Sequence, residues 1–134
     1  MLYGSETWCL SENEIAILRR TERAMVRAMC GVKLMDKKKT EDLMELLGLE
    51  ESVVQLAKAN AVRWYGHVLR SEDGHALRRA LEFEVKGRRK RGRPKRTWRK
   101  MVEEECRRVG LKKEDAQNRA KWRSGVRDIA TKVR

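Results

Sequence analysis

Between Lys86 and Lys100 the chain runs Lys-Gly-Arg-Arg-Lys-Arg-Gly-Arg-Pro-Lys-Arg-Thr-Trp-Arg-Lys, ten basic residues with no acidic one among them. Such a run cannot supply a core, because an unpaired charge taken out of water is strongly disfavoured. The fold must therefore be built from the residues on either side, with the run on the surface as a connector. Its like charges repel one another until an anionic partner neutralises them, and neutralised phosphates also release condensed counterions. The whole chain has the same bias: 33 Lys and Arg against 20 Asp and Glu give a net charge of +13 over 134 residues. A polyanion is the partner that such a balance calls for.

The length implies one domain, and an apolar fraction of 40% is enough for a modest core. The flanking segments read as mainly α, about five helices in all. Ile15, Leu18, Met25 and Met29 recur at helical spacing, with Ser11 as N-cap and Gly31 as a stop, which predicts a helix from about Ser11 to Cys30. Thr40 is a candidate cap for a short helix ending at Gly48, with Glu41 and Asp42 placed favourably in its first turn. A third helix is expected from about Glu50 to Arg70, with Val53, Ala57, Ala61, Trp64 and Val68 on its apolar stripe. Past the connector, Thr97 can cap a helix carrying Trp98, Met101, Val102 and Val109 and ending at Gly110. A last helix is expected from near Lys113, with Trp122, Val126, Ile129 and Val133 on one side and Arg119, Arg123, Arg127 and Lys132 on the other. The tryptophans Trp64, Trp98 and Trp122 are expected as core anchors, with base stacking the alternative use of Trp64 and Trp98.

One segment has the period of a strand: Leu81-Glu82-Phe83-Glu84-Val85 alternates apolar and polar residues. A lone strand leaves its backbone unpaired, so a short hairpin within residues 80–97, turning between Gly87 and Gly92, is expected.

Two groups of side chains are candidates for phosphate contact. Arg63, His67 and Arg70 lie one above another along the third helix. The connector contributes Lys86, Arg88, Arg89, Lys90, Arg91, Arg93, Lys95 and Arg96, with Arg99 at the start of the next helix. Its Arg91-Gly92-Arg93-Pro94 core also resembles an AT-hook, which inserts arginines into the narrow minor groove of A·T-rich DNA. Two alternative functions follow: an AT-hook-like chromatin or regulatory protein, and a helical interaction module whose basic run is a nuclear localisation signal. RNA, DNA and their hybrid all fit a basic patch without identifiable base-reading residues.

Other classes of function find little in the sequence. Cys9, Cys30 and Cys106 are widely spaced and odd in number, which fits reduced thiols inside a cell, and only His67 and His75 could join them at a metal; no metal or cofactor is expected. The opening residues do not read as a secretory signal, and no apolar run is long enough for a membrane span. There is no adjacent aspartate pair, Gly-x-Ser-x-Gly elbow, His-Glu-x-x-His or phosphate-binding glycine loop, so the chain is read as non-enzymatic by itself.

Five blocks add a family resemblance. They are Leu2-Tyr3-Gly4-Ser5-Glu6-Thr7-Trp8, Met29-Cys30-Gly31-Val32, Arg63-Trp64-Tyr65-Gly66-His67-Val68, Gly92-Arg93-Pro94-Lys95-Arg96-Thr97-Trp98 and Arg119-Ala120-Lys121-Trp122-Arg123. In order and spacing they resemble the region after the polymerase palm in non-LTR, LINE-type retrotransposon reverse transcriptases. The resemblance implies a thumb-end-like helical segment over 1–35, a helical pair over 36–79, a strand and basic connector over 80–97 and a C-terminal helical segment over 98–134. It implies binding of template, primer or target through the phosphate backbone, in the nucleus. It also implies that the catalytic aspartates belong to a palm upstream of Met1, and that apolar surface on the first helix could face the rest of the polyprotein or drive self-association.

Overall fold

A computed structural model describes residues 1–88 and 91–131. Among them lie six α-helices: α1 (Glu12–Met29), α2 (Thr40–Leu46), α3 (Val53–Arg70), α4 (Ala76–Glu82), α5 (Trp98–Arg108) and α6 (Arg119–Thr131). Short 3-10 turns at Ser5–Thr7, Leu34–Asp36 and Lys113–Gln117 complete the regular structure. The mainly α expectation holds.

Local chemistry accounts for most of the boundaries. Ser11 caps α1 in a reciprocal box: its backbone N–H donates to the Glu14 carboxylate at 2.7 Å and the Glu14 N–H donates back to its hydroxyl. Gly31, at φ +63°, turns the chain out of α1, and the Val32 N–H donates to the Arg27 carbonyl. Thr97 caps α5 as expected, accepting from the Lys100 N–H. Thr40 instead opens α2, with Lys39 in the cap position, and α3 begins at Val53 behind the Ser52 cap rather than at Glu50. Lys113–Gln117 is a 3-10 turn, so the last helix starts six residues later than expected, at Arg119.

The expected hairpin is absent from the described residues. Leu81 and Glu82 finish α4, which His75 caps by accepting the Leu77 N–H, while Phe83 and Val85 are 74% and 84% exposed. The alternation of Leu81 to Val85 is thus cut by a helix end, which leaves too short an extended stretch to pair with the basic segment.

α3 is the central element, packed by α1, α5, α6 and the Ser5–Thr7 turn. Ala57, Ala61, Val62 and Tyr65 of α3 meet Met101, Val102 and Cys106 of α5 and Trp122, Val126 and Ile129 of α6 in one cluster. Close approach to α6 depends on Gly66, where a Cβ would lie 2.6 Å from Cε2 of Trp122. Glu105 is buried in the same region and is held by Lys58 at 2.9 Å and Arg108 at 3.2 Å, tying α5 to α3. Tyr65, not Trp64, occupies the centre of α3's apolar stripe; its ring stands edge-on to Trp98, and burial pushes its hydroxyl up to about 12. On α1 the stripe is Ile15, Leu18 and Val26, leaving Met25 and Met29 exposed. Ile17, Leu34 and Met35 are exposed at the same end of the chain.

Candidate nucleic-acid interface

The packing of α6 on α3 creates an arginine-lined groove. Trp122 is buried, and its indole N–H donates to the Val62 carbonyl at 3.2 Å, fixing the rotation of α6 about its axis. Arg119, Arg123 and Arg127 recur every four residues and share one face of that helix. From α3 come Arg63 and Arg70, and Arg70 donates to the Ala116 carbonyl at 3.1 Å. The five arginines, with Glu51, Leu56, Trp122, Val126 and Ala130, line a groove of about 400 Å³.

Among the described residues none of these five arginines forms an ion pair, whereas Arg78, Arg96, Arg99, Arg108, Lys58, Lys113 and Lys121 each pair with an acid. The cost of this crowding shows at Arg70, whose pKa is lowered by burial and then by the nearby Arg119 and Arg123. An anion placed there would relieve the repulsion and be attracted by several guanidinium groups at once.

A recess adjoins the groove and shares Arg63 and Arg70 with it; Glu6, Asn60, Trp64 and His67 complete its lining, and it encloses about 500 Å³. The Trp64 and His67 rings lie 5.1 Å apart at 32°. Asn60 donates to the Ser5 hydroxyl at 2.9 Å and accepts from Arg63 at 2.7 Å, so the N-terminal turn sets the position of an arginine on α3.

The connector is a different surface. Residues 83–88 and 91–97 are exposed throughout and carry no regular structure. Lys86, Arg88, Arg91, Arg93 and Lys95 make no ion pair among the described residues, but Arg96 bonds to Glu104 and Arg99 pairs with Glu103 at 3.0 Å. Glu103 also receives Lys113; burial opposes its ionisation, yet the hydrogen bonds from Arg99 and Lys113 hold its carboxyl below the usual range. The Cys9 thiol donates to the Arg96 carbonyl at 3.2 Å and the Trp98 indole to the Glu6 carbonyl at 2.8 Å, fastening the connector's exit to the N-terminal segment. Arg89 and Lys90, also expected as contacts, lie outside the described residues, as do Lys132 and Val133.

The expected residues therefore fall into two places. Arg63, His67 and Arg70 are together on α3, and the structure sets beside them Arg119, Arg123 and Arg127, which the sequence marks only as one basic side of a separate helix. Their periodicity was the available signal; their meeting with α3 is tertiary. Trp64 is half-buried in the recess rather than a core anchor, because it lies one helical step, 100°, from the centre of the stripe that Tyr65 fills. Trp98 and Trp122 pack in or against the core.

Among the described residues no three His, Cys, Asp or Glu side chains converge as a metal site, and no helix is long and apolar enough to cross a membrane. The three cysteines are unbridged, and burial pushes the Cys106 thiol up to about 12. Comparison with protein-family models, curated proteins and solved structures gives no match.

Proposed function

We propose that this chain is a nucleic-acid-binding module that holds RNA or DNA by its phosphates and performs no catalysis of its own, acting as the region after the palm does in a LINE-type reverse transcriptase. The observation that carries the reading is the groove between α3 and α6: five arginines converge there with a single acid, Glu51, in the lining and no ion pair, whereas Arg78, Arg96, Arg99 and Lys121 each pair with an acid. Charges left uncompensated at such a density call for an external anion. The connector supplies a second, exposed cationic surface that can track a backbone with little sequence preference. In a cell such a module works in the nucleus, where its basic run also serves import.

The resemblance to reverse transcriptases gains support from where its blocks fall. Ser5 meets Asn60 just ahead of the block over 63–68 on α3, Trp98 donates to Glu6, and Gly66 faces Trp122. Four of the five blocks thus meet around α3, which gives a packing reason for their residue types. The exposed Ile17, Met25, Met29, Leu34 and Met35 on the N-terminal side fit a surface that the rest of a larger protein, or a second copy, covers.

Fluorescence anisotropy across a salt series tests this function, using labelled single-stranded RNA, RNA–DNA hybrid, mixed duplex and A·T-rich duplex. With about six phosphates engaged, log affinity falls against log salt with a slope of roughly −4 on single strands and −5 on duplex. A flat response contradicts phosphate binding, and a strong preference for A·T-rich duplex replaces this function with that of an AT-hook protein.

A further inference from the structure

We infer that the arginine groove and the recess beside it form one site for a single nucleic-acid strand, with the backbone along Arg119, Arg123 and Arg127 and an unpaired base stacked on Trp64. The inference rests on the nucleic-acid-binding function proposed above and goes beyond it by naming the form of nucleic acid and the side chain that touches a base.

The two cavities adjoin, sharing Arg63 and Arg70 in their linings, and they differ in chemistry. The α6 side offers guanidinium groups spaced about 6 Å apart along the helix, suited to successive phosphates. The α3 side offers an aromatic face, with Asn60 and Glu6 as hydrogen-bonding groups at its edge. A strand laid across both places its charge on one side and a base on the other. Clefts of about 400 and 500 Å³ are each large enough to take a nucleotide. A duplex keeps its base faces stacked inside and offers only their edges, so it cannot use an aromatic platform.

Trp64 differs from the tryptophans that pack in the core. Trp98 and Trp122 both spend their indole N–H on a backbone carbonyl, of Glu6 and Val62, whereas the Trp64 N–H has no acceptor among the described residues. His67 packs against its ring in a tilted contact, centroids 5.1 Å apart at 32°, and so backs the indole at the mouth of the recess. Arg63, held by Asn60, stands where backbone and base diverge.

The test is anisotropy binding of the full chain to oligo-uridine RNA, oligo-thymidine DNA and a mixed duplex of equal length, with circular dichroism confirming that each variant folds. Trp64→Ala should weaken binding of single strands by about 5- to 100-fold and leave duplex binding nearly unchanged, while Trp64→Phe retains most of the affinity. The triple variant Arg119→Gln/Arg123→Gln/Arg127→Gln should lower the single-strand salt slope by about 2. The RNA and DNA arms tell which strand the site prefers. Equal losses on single strand and duplex, or no loss in Trp64→Ala while the wild type binds with a steep salt slope, overturn the single-strand site and leave the broader function standing. If the wild type binds none of the three nucleic acids, the broader function falls and the site with it.

Discussion

The two basic regions of this molecule are built in opposite ways. In the groove, the arginines stand on two helices locked together by Trp122 and Gly66, and none of them has an acidic partner. In the connector the cations stand on irregular, exposed chain, and where that chain meets α5 its last members are claimed by Glu103 and Glu104. Charge density alone would rank the connector first. Placement on packed helices ranks the groove first for geometry, because side chains that leave a fixed backbone lose less freedom on binding than those on an irregular segment. The connector contributes reach and long-range attraction; the groove contributes shape.

Breaking the groove's foundation has the largest expected effect. Trp122→Ala removes a buried indole and its hydrogen bond and should cost about 3–5 kcal/mol of stability, read from denaturant unfolding. Residual nucleic-acid binding by the destabilised chain then belongs to the connector, and it should no longer distinguish single strand from duplex.

Next in size is a comparison of charge removal in the two regions. Arg91→Gln/Arg93→Gln in the connector should weaken single-strand and duplex binding alike, lowering the salt slope by about 1.4 and 1.8 respectively. The groove triple variant should act on single strands alone. Identical profiles for the two variants would erase the distinction between the regions.

A smaller effect is expected from releasing a connector cation. Glu104→Gln frees Arg96 from its partner, and because an exposed ion pair is worth at most about 1 kcal/mol, affinity should rise by no more than about fivefold. Unchanged affinity would mean that Arg96 does not reach the ligand even when free.

The smallest effect concerns pH and the α5 anchor. Glu103 and Asp115 both have carboxyl pKa values lowered in the folded state, Glu103 by Arg99 and Lys113 against the opposing effect of burial, and Asp115 mainly by Lys121. Such groups contribute stability that is complete above their ordinary values of 4.5 and 3.8 and is lost as pH falls through the lowered ones. The melting temperature should therefore be level above about pH 5 and decline below it, less steeply in Glu103→Gln. A decline of equal steepness in that variant would remove Glu103 from the account.

These contrasts also explain what could be read from the residues in advance. α1 and α5 were legible because their signals are local: Ser11 with Glu14, Gly31, and Thr97 each act within one turn of the helix they bound. α4 was not, since His75 is an uncommon cap and Leu81 to Val85 alternates as a strand does. On α3, helical spacing found the apolar side but misjudged its centre, which Tyr65 fills because Trp98 and Trp122 converge on it. The groove escaped for a different reason: Arg63 and Arg70 are about fifty residues from Arg119 and Arg123 in the chain, and only the packing of Trp122 against Gly66 sets them side by side.

The central claim is that the groove arginines hold the nucleic acid while those paired with acids on α4 and α5 hold the fold. Side-chain NMR of arginine Nε–H groups, followed during titration with oligo-uridine RNA, tests it most directly. The account predicts that Arg63, Arg119, Arg123 and Arg127 shift while Arg78 and Arg99 stay in place; shifts spread evenly over all arginines, or confined to the paired ones, would contradict it.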